Sequence, residues 1–271
     1  MKFYDNMGLC VLISCMHQAD RSIVERSNVQ CDCVVVNQCD RDEVVDYDYT
    51  NCFGQTRHVR FISTTERGLS RSRNMALENA PYDAVCMVCD DDERIETEAE
   101  ERILNAYRSM PECSVATFSL IRKDCGRTYP TEPFRVGFKK ALSVNSLQIT
   151  FCKAAIEEAG IRFDVKMGSG TGNGGGEENK FILDCLRAKL QVQYFPVTIA
   201  TVLPGESQWY QGHDAKFLCN NGWAARRLLG TPLGFAYICY STYHLRARYK
   251  KAGLTPWRAF KALLSGFLSK R

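Results

Sequence analysis

Short apolar segments alternate with segments of helical periodicity through the first half of the chain, and this alternation restricts the possible folds more than any other feature. Strands separated by helices are typical of a mainly parallel sheet, because two parallel strands need a long crossover connection between them. The sequence therefore predicts an α/β fold, Rossmann-like, with helices on both faces of the sheet. The predicted strands are residues 9–15, 31–37, 58–62 and 84–89, and the predicted helices are residues 69–79 and 97–110.

The second half of the chain is less regular. In the middle of this half, the glycine-rich run Gly168–Gly176 predicts a mobile loop. We expect residues 1–205 to form one domain and residues 206–271 to form a helical, basic C-terminal extension. The other predicted elements are strands at residues 114–121, 146–151 and 193–195 and helices at residues 153–159, 177–190, 233–252 and 256–268.

Charge is distributed unevenly along the chain. Residues 1–214 carry a net charge of −7, whereas the last 57 residues contain eleven Lys and Arg and no Asp or Glu. The predicted helix at 256–268 has an apolar face flanked by basic residues, a pattern that suits the surface of an anionic membrane. The alternative is a helical pair packed on the domain with a basic, solvated face. Residues 228–245 contain no charged residue, but they are too few and too polar to predict a membrane span.

Fourteen cysteines raise the question of disulfides or a zinc site. The N-terminal residues contain no long apolar signal segment, so an oxidising compartment is not implied. Cys31 and Cys33 lie in an apolar run, and Cys86 and Cys89, which have the spacing of a redox motif, fall in a predicted buried strand. We therefore expect most cysteines to pack as small apolar side chains.

Four adjacent carboxylates, Asp90–Glu93, follow the predicted strand at 84–89. In an extended segment Asp90 and Asp92 point the same way, and two hard oxygen ligands suit Mg²⁺ or Mn²⁺. Ligands of parallel sheets bind at the carboxyl ends of strands, which is where this cluster falls. The alternative is a solvated acidic turn.

Two further segments carry side chains suited to a phosphorylated ligand. Gly68–Asn74 opens a helix, and its N-terminal N–H groups, together with Arg71 and Arg73, favour an anion. Glu177 and Glu178 begin the helix that follows the glycines, where a carboxylate can accept the proton of an attacking hydroxyl. The alternatives are an N-cap with surface arginines and an ordinary acidic first turn.

In their order and separations these three segments resemble those of the family-2 glycosyltransferases, whose nucleotide-diphospho-sugar transferase fold is called GT-A. The resemblance covers about residues 8–205, and residues 207–212 are similar to the segment that follows the family's catalytic helix. It implies a nucleotide-sugar donor, Mn²⁺ or Mg²⁺ as cofactor, and one displacement with inversion at the anomeric carbon.

The resemblance also implies roles for single residues. Asp90 and Asp92 match the family's Asp-x-Asp motif, in which the second Asp binds the metal and the first lies near the sugar or ribose. Arg73 matches an arginine that contacts the nucleotide. Glu178, preceded by Glu177, stands where the family usually has the Asp that serves as catalytic base.

Other residues are implied to contact the donor. Ser14 ends the first strand and is expected beside the base. Asn37 and Gln38 stand where the family usually has an Asp that contacts the nucleobase or ribose. Further candidate substrate contacts are Arg71, Asp91 and Trp209. His213 is either a late metal ligand or a solvated loop histidine.

These features together predict a metal-dependent inverting glycosyltransferase, peripheral on the cytoplasmic face of the cell membrane. We expect it to use a UDP-sugar and to build a cell-surface glycan on a glycan or lipid-linked acceptor. One alternative is a nucleotidyltransferase of related fold, although Ser14–Gln18 lacks the glycine-rich, lysine-bearing loop which that reaction needs. Another is a non-catalytic module that binds membranes or nucleic acid through the basic tail; the acidic residues 1–214 argue against a nucleic-acid partner.

Overall fold

The computed structural model describes residues 7–122, 128–203 and 212–271, so the predicted boundary at residues 205 and 206 lies outside the described residues. Its strands are β1 (Leu9–Met16), β2 (Asp32–Gln38), β3 (Glu43–Thr50), β4 (Thr56–Thr64), β5 (Val85–Asp90), β6 (Glu93–Ile95), β7 (Cys113–Arg122), β8 (Phe134–Arg135), β9 (Ile149–Cys152) and β10 (Gln191–Val202). Its helices are α1 (Ile23–Arg26), α2 (Leu69–Asn79), α3 (Ala99–Ser109), α4 (Phe138–Ala141), α5 (Lys153–Glu158), α6 (Glu177–Arg187), α7 (Ala215–His244), α8 (Arg246–Lys251) and α9 (Pro256–Leu268).

One mixed sheet contains all the described strands, in the order β3-β4-β2-β1-β5-β9-β7-β10-β6, with β8 beside β10. Strand β1 is parallel to β2 and to β5, and β2 is parallel to β4. Strand β9 runs antiparallel between β5 and β7, so β7 points the same way as β5. The predicted mainly parallel sheet is confirmed, and the carboxyl ends of β1, β2 and β5 lie along one edge.

Helices cover both faces of the sheet, because alternate residues of the central strands are apolar on both sides. In β5, Met87 belongs to one apolar cluster and Val88 to the other. The first cluster includes α3, through Ile103, and the second includes α2 and α6, through Leu77 and Phe181. The α/β class with helices on both faces is therefore confirmed.

Several strands differ from the sequence prediction. Strands β3, β6 and β8 were not predicted, and the strand predicted at residues 146–151 begins only at Ile149, after a 3₁₀ turn at Ser146–Gln148. Strand β3 pairs antiparallel with β4 at the edge of the sheet, and most of its side chains are exposed. Strand β10 continues through Pro196, where the sequence predicted an end after Phe195. The ladder to β7 shifts register between Phe195 and Thr198, and such a bulge accommodates a proline.

The C-terminal extension contains one helix more than predicted. Helix α7 begins at Asp214, whose carboxylate accepts a hydrogen bond of 2.7 Å from the N–H of Phe217. It is interrupted at Gly230, where φ is 73°, and Pro232 then starts the helical segment that the sequence predicted. None of the helices in the described ranges is long and apolar enough to cross a membrane.

The extension buries much of the apolar face predicted for α9. A methyl group on Gly222 would lie 1.8 Å from the carbonyl oxygen of Leu263, and one on Gly266 would lie 1.7 Å from that of Cys219. Helices α7 and α9 therefore cross with their backbones in contact, and they bury Leu263 between them. Trp257, on the same predicted face, stays 63% exposed.

The cysteines of the described ranges are free thiols. Cys31, Cys33, Cys86 and Cys89 are buried in the apolar clusters, as predicted. Burial is the main cause that raises the pKa of each of these thiols, so they pack as neutral, small apolar groups.

Candidate active site

The three segments singled out in the sequence meet at the carboxyl ends of β1, β2 and β5. Asp90 is the last residue of β5 and lies opposite Ser14 of β1 in the parallel ladder. Helix α2 begins at Leu69, shortly after β4, and α6 begins at Glu177. The site is therefore formed by one edge of the sheet and the N-terminal turns of two helices.

Arg73 joins these segments. Its Nη2 donates to both carboxylate oxygens of Asp90, at 3.0 and 3.1 Å, and its Nη1 donates to Glu177 Oε1 at 3.0 Å. The side chain of Arg73 is 1% exposed, while those of Glu177 and Asp90 are 8% and 25% exposed. One buried guanidinium thus holds the acidic turn and the start of α6 together.

The charges of this group depend on one another. Burial alone would lower the pKa of Arg73, but the carboxylates of Asp90 and Glu177 outweigh it and raise that pKa. The guanidinium also lies 5.6 Å from the ring centroid of Phe163, a favourable cation–π distance. Arg71, two residues earlier, is exposed at the start of α2. Arg73 thus binds the two carboxylates, whereas Arg71 lies at the surface.

Glu178 lies beside this ion group in the first turn of α6. Burial, followed by the charge of Glu177, raises the pKa of Glu178 to about 8, against the opposing effect of Arg73. Asp90 contributes to the same rise. A carboxylate with a raised pKa is a stronger proton acceptor, which is the property required of a general base.

Asp91 and Asp92, in the middle of the acidic turn, are exposed residues. Partial burial of their carboxyl groups and the charge of Asp90 raise the pKa of Asp91 and of Asp92, while Arg26 opposes the rise at Asp91 and Arg122 opposes it at Asp92. Asp90 is already paired with Arg73, which leaves Asp92 as a candidate carboxylate for a cation. Its hard oxygens suit Mg²⁺ or Mn²⁺.

The protein offers few other ligands for such a cation. Within the described ranges, no three His, Cys, Asp or Glu side chains are grouped so that they could hold a metal ion. Mg²⁺ in phosphate-binding sites is often held by one or two carboxylates, with water and phosphate oxygens completing its shell. The residues present therefore fit a cation that shares its ligands with a diphosphate.

Sequence reasoning did not single out Arg122. It ends β7, which points the same way as β5, and its charge opposes the rise in the pKa of Asp92. The available signal was a basic residue at the carboxyl end of a predicted strand. That signal could not be used alone, because the order of β7 in the sheet was unknown.

The residues expected beside the nucleotide are buried and hydrogen-bonded within the protein. Ser14 Oγ accepts from Ser72 Oγ at 2.9 Å, and Gln38 Oε1 accepts from the N–H of Gly68 at 2.7 Å. The side chain of Asn37 exchanges two hydrogen bonds with the backbone of Gln18, at 3.0 and 3.1 Å. All three positions thus stabilise the loops around the site.

The start of the glycine-rich loop and the residue before it are hydrogen-bonded to α2. The N–H of Leu69 donates to the carbonyl of Ser169 at 3.1 Å, and Ser70 Oγ donates to that of Met167 at 2.9 Å. Gly168 adopts a φ of 94°, which L-residues rarely adopt. A methyl group there would lie 3.1 Å from Cδ of Glu177. The backbone of the loop therefore lies close to the carboxylate that binds Arg73, and glycine at this position leaves room for it.

We expect Gly168→Ala to lower the free energy of unfolding by about 1–3 kcal/mol, because it combines a strained φ with a contact on a buried carboxylate. Urea titration monitored by circular dichroism measures this change. Gly172 also has a positive φ, of 73°, but a methyl group there would meet no atom within 4 Å, so Gly172→Ala separates backbone strain from the contact. Equal losses in the two variants would contradict a role for the Glu177 contact.

Two further candidates are Trp209 and His213. Trp209 falls outside the described residues. His213 is 8% exposed and packs against the ring of Phe217, with centroids 4.6 Å apart. Burial, with the charge of Arg248, lowers the pKa of His213, so the imidazole is neutral at pH 7.

Comparison with known proteins shows one matching family and many similar solved structures, among them those of S. aureus TarS. The sequence profile described as Glycosyl transferase family 2 matches residues 14–164. No curated protein matches the chain significantly by sequence. Residues 1–349 of S. aureus TarS in complex with UDP-GlcNAc have a similar structure, with a TM-score of 0.58 and 15% identity over 84% of this chain and 68% of that chain.

The complex of the same TarS fragment with UDP gives a TM-score of 0.54 and 15% identity, over 84% of this chain and 67% of that chain. A longer TarS structure gives 0.53 and 16%, over 84% of this chain and 40% of that chain. At such identities the likeness concerns the fold alone.

Proposed function

Since the chain belongs to glycosyl transferase family 2, has the GT-A fold and is a glycosyltransferase, we propose that it moves a sugar from a UDP-sugar to an acceptor hydroxyl with inversion at the anomeric carbon. The observation that carries this proposal is the bridge from Arg73 to Asp90 and Glu177. It joins the acidic turn to the first turn of α6, and this supports a site in which Asp92 and Glu178 serve the same ligand.

In the proposed reaction Glu178 accepts the proton of the acceptor hydroxyl as that oxygen attacks the anomeric carbon. The bond from that carbon to the diphosphate breaks in the same displacement, through an oxocarbenium-like state. Arg73 keeps the start of α6 and the acidic turn at a fixed separation. Preorganisation of this kind favours the reaction, because the carboxylate does not have to be reoriented in each turnover.

Asp92 would hold Mn²⁺ or Mg²⁺, with Asp90 beside it. The cation would neutralise the charge that develops on the departing diphosphate. Arg71, at the start of α2, and Arg122, at the end of β7, would add positive charge to that role. The proposal of a uridine donor is supported by the TarS fragment, which has been solved with UDP-GlcNAc and with UDP.

We expect the protein to hydrolyse one or a few UDP-sugars slowly when Mn²⁺ is present and no acceptor is added. The reason is that water can take the place of the acceptor hydroxyl beside Glu178. Release of UDP from a panel of nucleotide sugars, with Mn²⁺ and with chelator, measures this activity. Hydrolysis that is equally fast with chelator, or absent for every donor, would contradict the proposal.

We also propose that the acceptor is a glycan or lipid-linked glycan at the surface of the cell membrane. The extension supports this through exposed aromatic side chains, with Trp257 63% and Tyr243 79% exposed, among its eleven basic residues. Lys261 Nζ lies 5.1 Å from the ring centroid of Trp257, so an aromatic ring and a cation are presented together. Such pairs suit the interface between lipid headgroups and acyl chains.

Trp257→Ala combined with Lys261→Glu should weaken binding to vesicles that contain phosphatidylglycerol by about tenfold, because an interfacial ring is lost and one charge is reversed. Co-sedimentation of the full chain with these vesicles measures binding. Phe53→Ala is the matched control, since Phe53 is a 57% exposed ring outside the extension. Unchanged binding of the double variant would contradict the assignment of this surface.

A further inference from the structure

A cavity of about 190 Å³ opens on the same face of the sheet as α6. Its floor is formed by Phe134, Val136, Tyr194 and the buried Thr117, and Ser143 and Lys140 are exposed residues at its rim. Pockets for drug-sized ligands usually measure about 300–1,000 Å³. This volume is too small for a nucleotide sugar and suits one monosaccharide-sized group.

The cavity adjoins the candidate active site through Asn179, which follows Glu178 in α6. Asn179 Nδ2 donates to the carbonyl oxygens of Ala141 and Val144, at 2.9 Å each. Val144 is itself part of the cavity wall. The wall of the cavity is therefore fixed to the residue next to the proposed base.

The floor of the cavity is held in place. The rings of Phe134 and Tyr194 are stacked, with centroids 4.7 Å apart and planes at 27°. Tyr194 donates from its hydroxyl to the carbonyl of Pro130 at 2.8 Å and shares a hydrogen bond of 2.6 Å with Ser119. An apolar floor with hydroxyl and amide groups around it suits a sugar ring, which has apolar C–H faces and polar edges.

Basic residues outnumber acidic ones in the segment that lines the cavity. Residues 129–144 contain Arg135, Lys139 and Lys140 and one acidic residue, Glu132. Lys140 Nζ lies 5.4 Å from the ring centroid of Phe134, at the cavity. Across the described ranges, no carboxylate forms an ion pair with it. The ammonium is therefore available to an anion in the cavity.

We propose that this cavity is an acceptor subsite for a carbohydrate unit that carries a phosphate group. The sugar ring lies on the floor of Phe134 and Tyr194, and Lys140 binds the phosphate. This inference rests on the proposed function, because it assigns the acceptor of that same transfer. It narrows the acceptor class to phosphorylated glycans, whether the phosphate belongs to a polymer or to a lipid-linked sugar.

Binding of glucose 1-phosphate and of methyl glucoside to the full chain tests the assignment, measured by ligand-observed NMR titration. We expect the wild-type protein to bind glucose 1-phosphate about fivefold to tenfold more tightly than methyl glucoside, since one charge-assisted contact is added. Lys140→Ala should remove that difference. Lys139→Ala is the matched control, because Lys139 is an exposed neighbour that does not line the cavity, and it should keep the difference.

Three results would overturn the inference: equal binding of the two sugars by the wild-type protein, an unchanged preference in Lys140→Ala, and inorganic phosphate binding as tightly as glucose 1-phosphate. The last would remove any role for the aromatic floor. Titration of the same samples with UDP and Mn²⁺ separates this outcome from the proposed function. Wild-type protein that binds UDP but shows no preference for the phosphorylated sugar contradicts the subsite alone.

Discussion

Replacement of Glu178 by Gln is expected to reduce the rate of sugar transfer by about 10²–10⁴-fold, the usual contribution of a general base. Gln keeps the size of the side chain but cannot accept the proton of the acceptor hydroxyl. UDP binding should persist, because Glu178 is not assigned to the diphosphate. Steady-state rates with the donor found in the hydrolysis panel measure the loss, and Glu101→Gln, an exposed glutamate on α3, is the control.

The pH dependence of the transfer rate is a second test of the role of Glu178. Only the ionised carboxylate can act as base, and the pKa of Glu178 is raised to about 8. The wild-type rate should therefore rise with pH through about 8 and then level off. A rate that is independent of pH between 7 and 9, or a Gln variant as active as the wild type, would show that another group takes the proton.

The raised pKa of Glu178 affects stability in the direction opposite to the lowered pKa of a carboxylate in a salt bridge. The pKa of Glu178 is higher in the folded than in the unfolded chain, so its contribution to stability is fully present below the unfolded value and is lost as pH rises through the folded one. Gln does not ionise. Glu178→Gln should therefore be at least as stable as the wild type at pH 9, which distinguishes a catalytic loss from unfolding.

Replacement of Arg73 by Met is expected to lower the free energy of unfolding by about 3–5 kcal/mol, because it leaves the buried Glu177 carboxylate and Asp90 without their shared cation. Urea titration measures the change. Arg71→Met, two residues away and exposed, should stay within about 0.5 kcal/mol of the wild type.

A further variant distinguishes lost charge pairing from poor packing of Met. Asp90→Asn and Glu177→Gln, added to Arg73→Met, remove the unpaired charges and should recover part of the lost stability. Sugar transfer should remain abolished in both backgrounds, since the acidic turn and α6 are no longer joined. Wild-type stability and activity in Arg73→Met would contradict the role assigned to this bridge.

The sequence predicted the parts of the fold whose residues are apolar and continuous. Strands β1, β2 and β5 are such runs, and their predicted ends lie within one or two residues of the observed ends. Strand β3 was missed although Val45, Tyr47 and Tyr49 alternate with polar residues, which is the period of a half-buried edge strand. The first segment of α7 was missed because Asn220, Asn221 and Gly222, which disfavour helix, directly precede the buried Trp223 and Ala224.

The sequence indicates that Arg73 is buried, but the prediction of the site made no use of this indication. Arg73 falls in one helical stripe with Ser70 and Ala76, all of them buried, whereas Arg71 lies on the opposite side of α2. An arginine inside a buried stripe requires a carboxylate partner, and the two partners come from distant segments. Their identity depends on the order of strands in the sheet, which periodicity does not determine.

The glycine loop shows another limit. Glycine content indicates backbone freedom, and the sequence could not tell whether that freedom serves motion or a fixed, unusual φ. Here Gly168 and Gly170 use positive φ to place the loop against the start of α2. The contact pairs residues almost a hundred positions apart, so no local pattern encodes it.

The central claim is that the acidic turn, through Asp92, and the start of α2 bind one diphosphate with a divalent cation. Calorimetric titration of UDP into the wild-type protein and into Asp92→Asn, each with and without Mn²⁺, tests it most directly. We predict that the wild-type protein binds UDP only with Mn²⁺ and that Asp92→Asn weakens this binding by about tenfold or more. UDP binding of equal strength in all four titrations would contradict the claim.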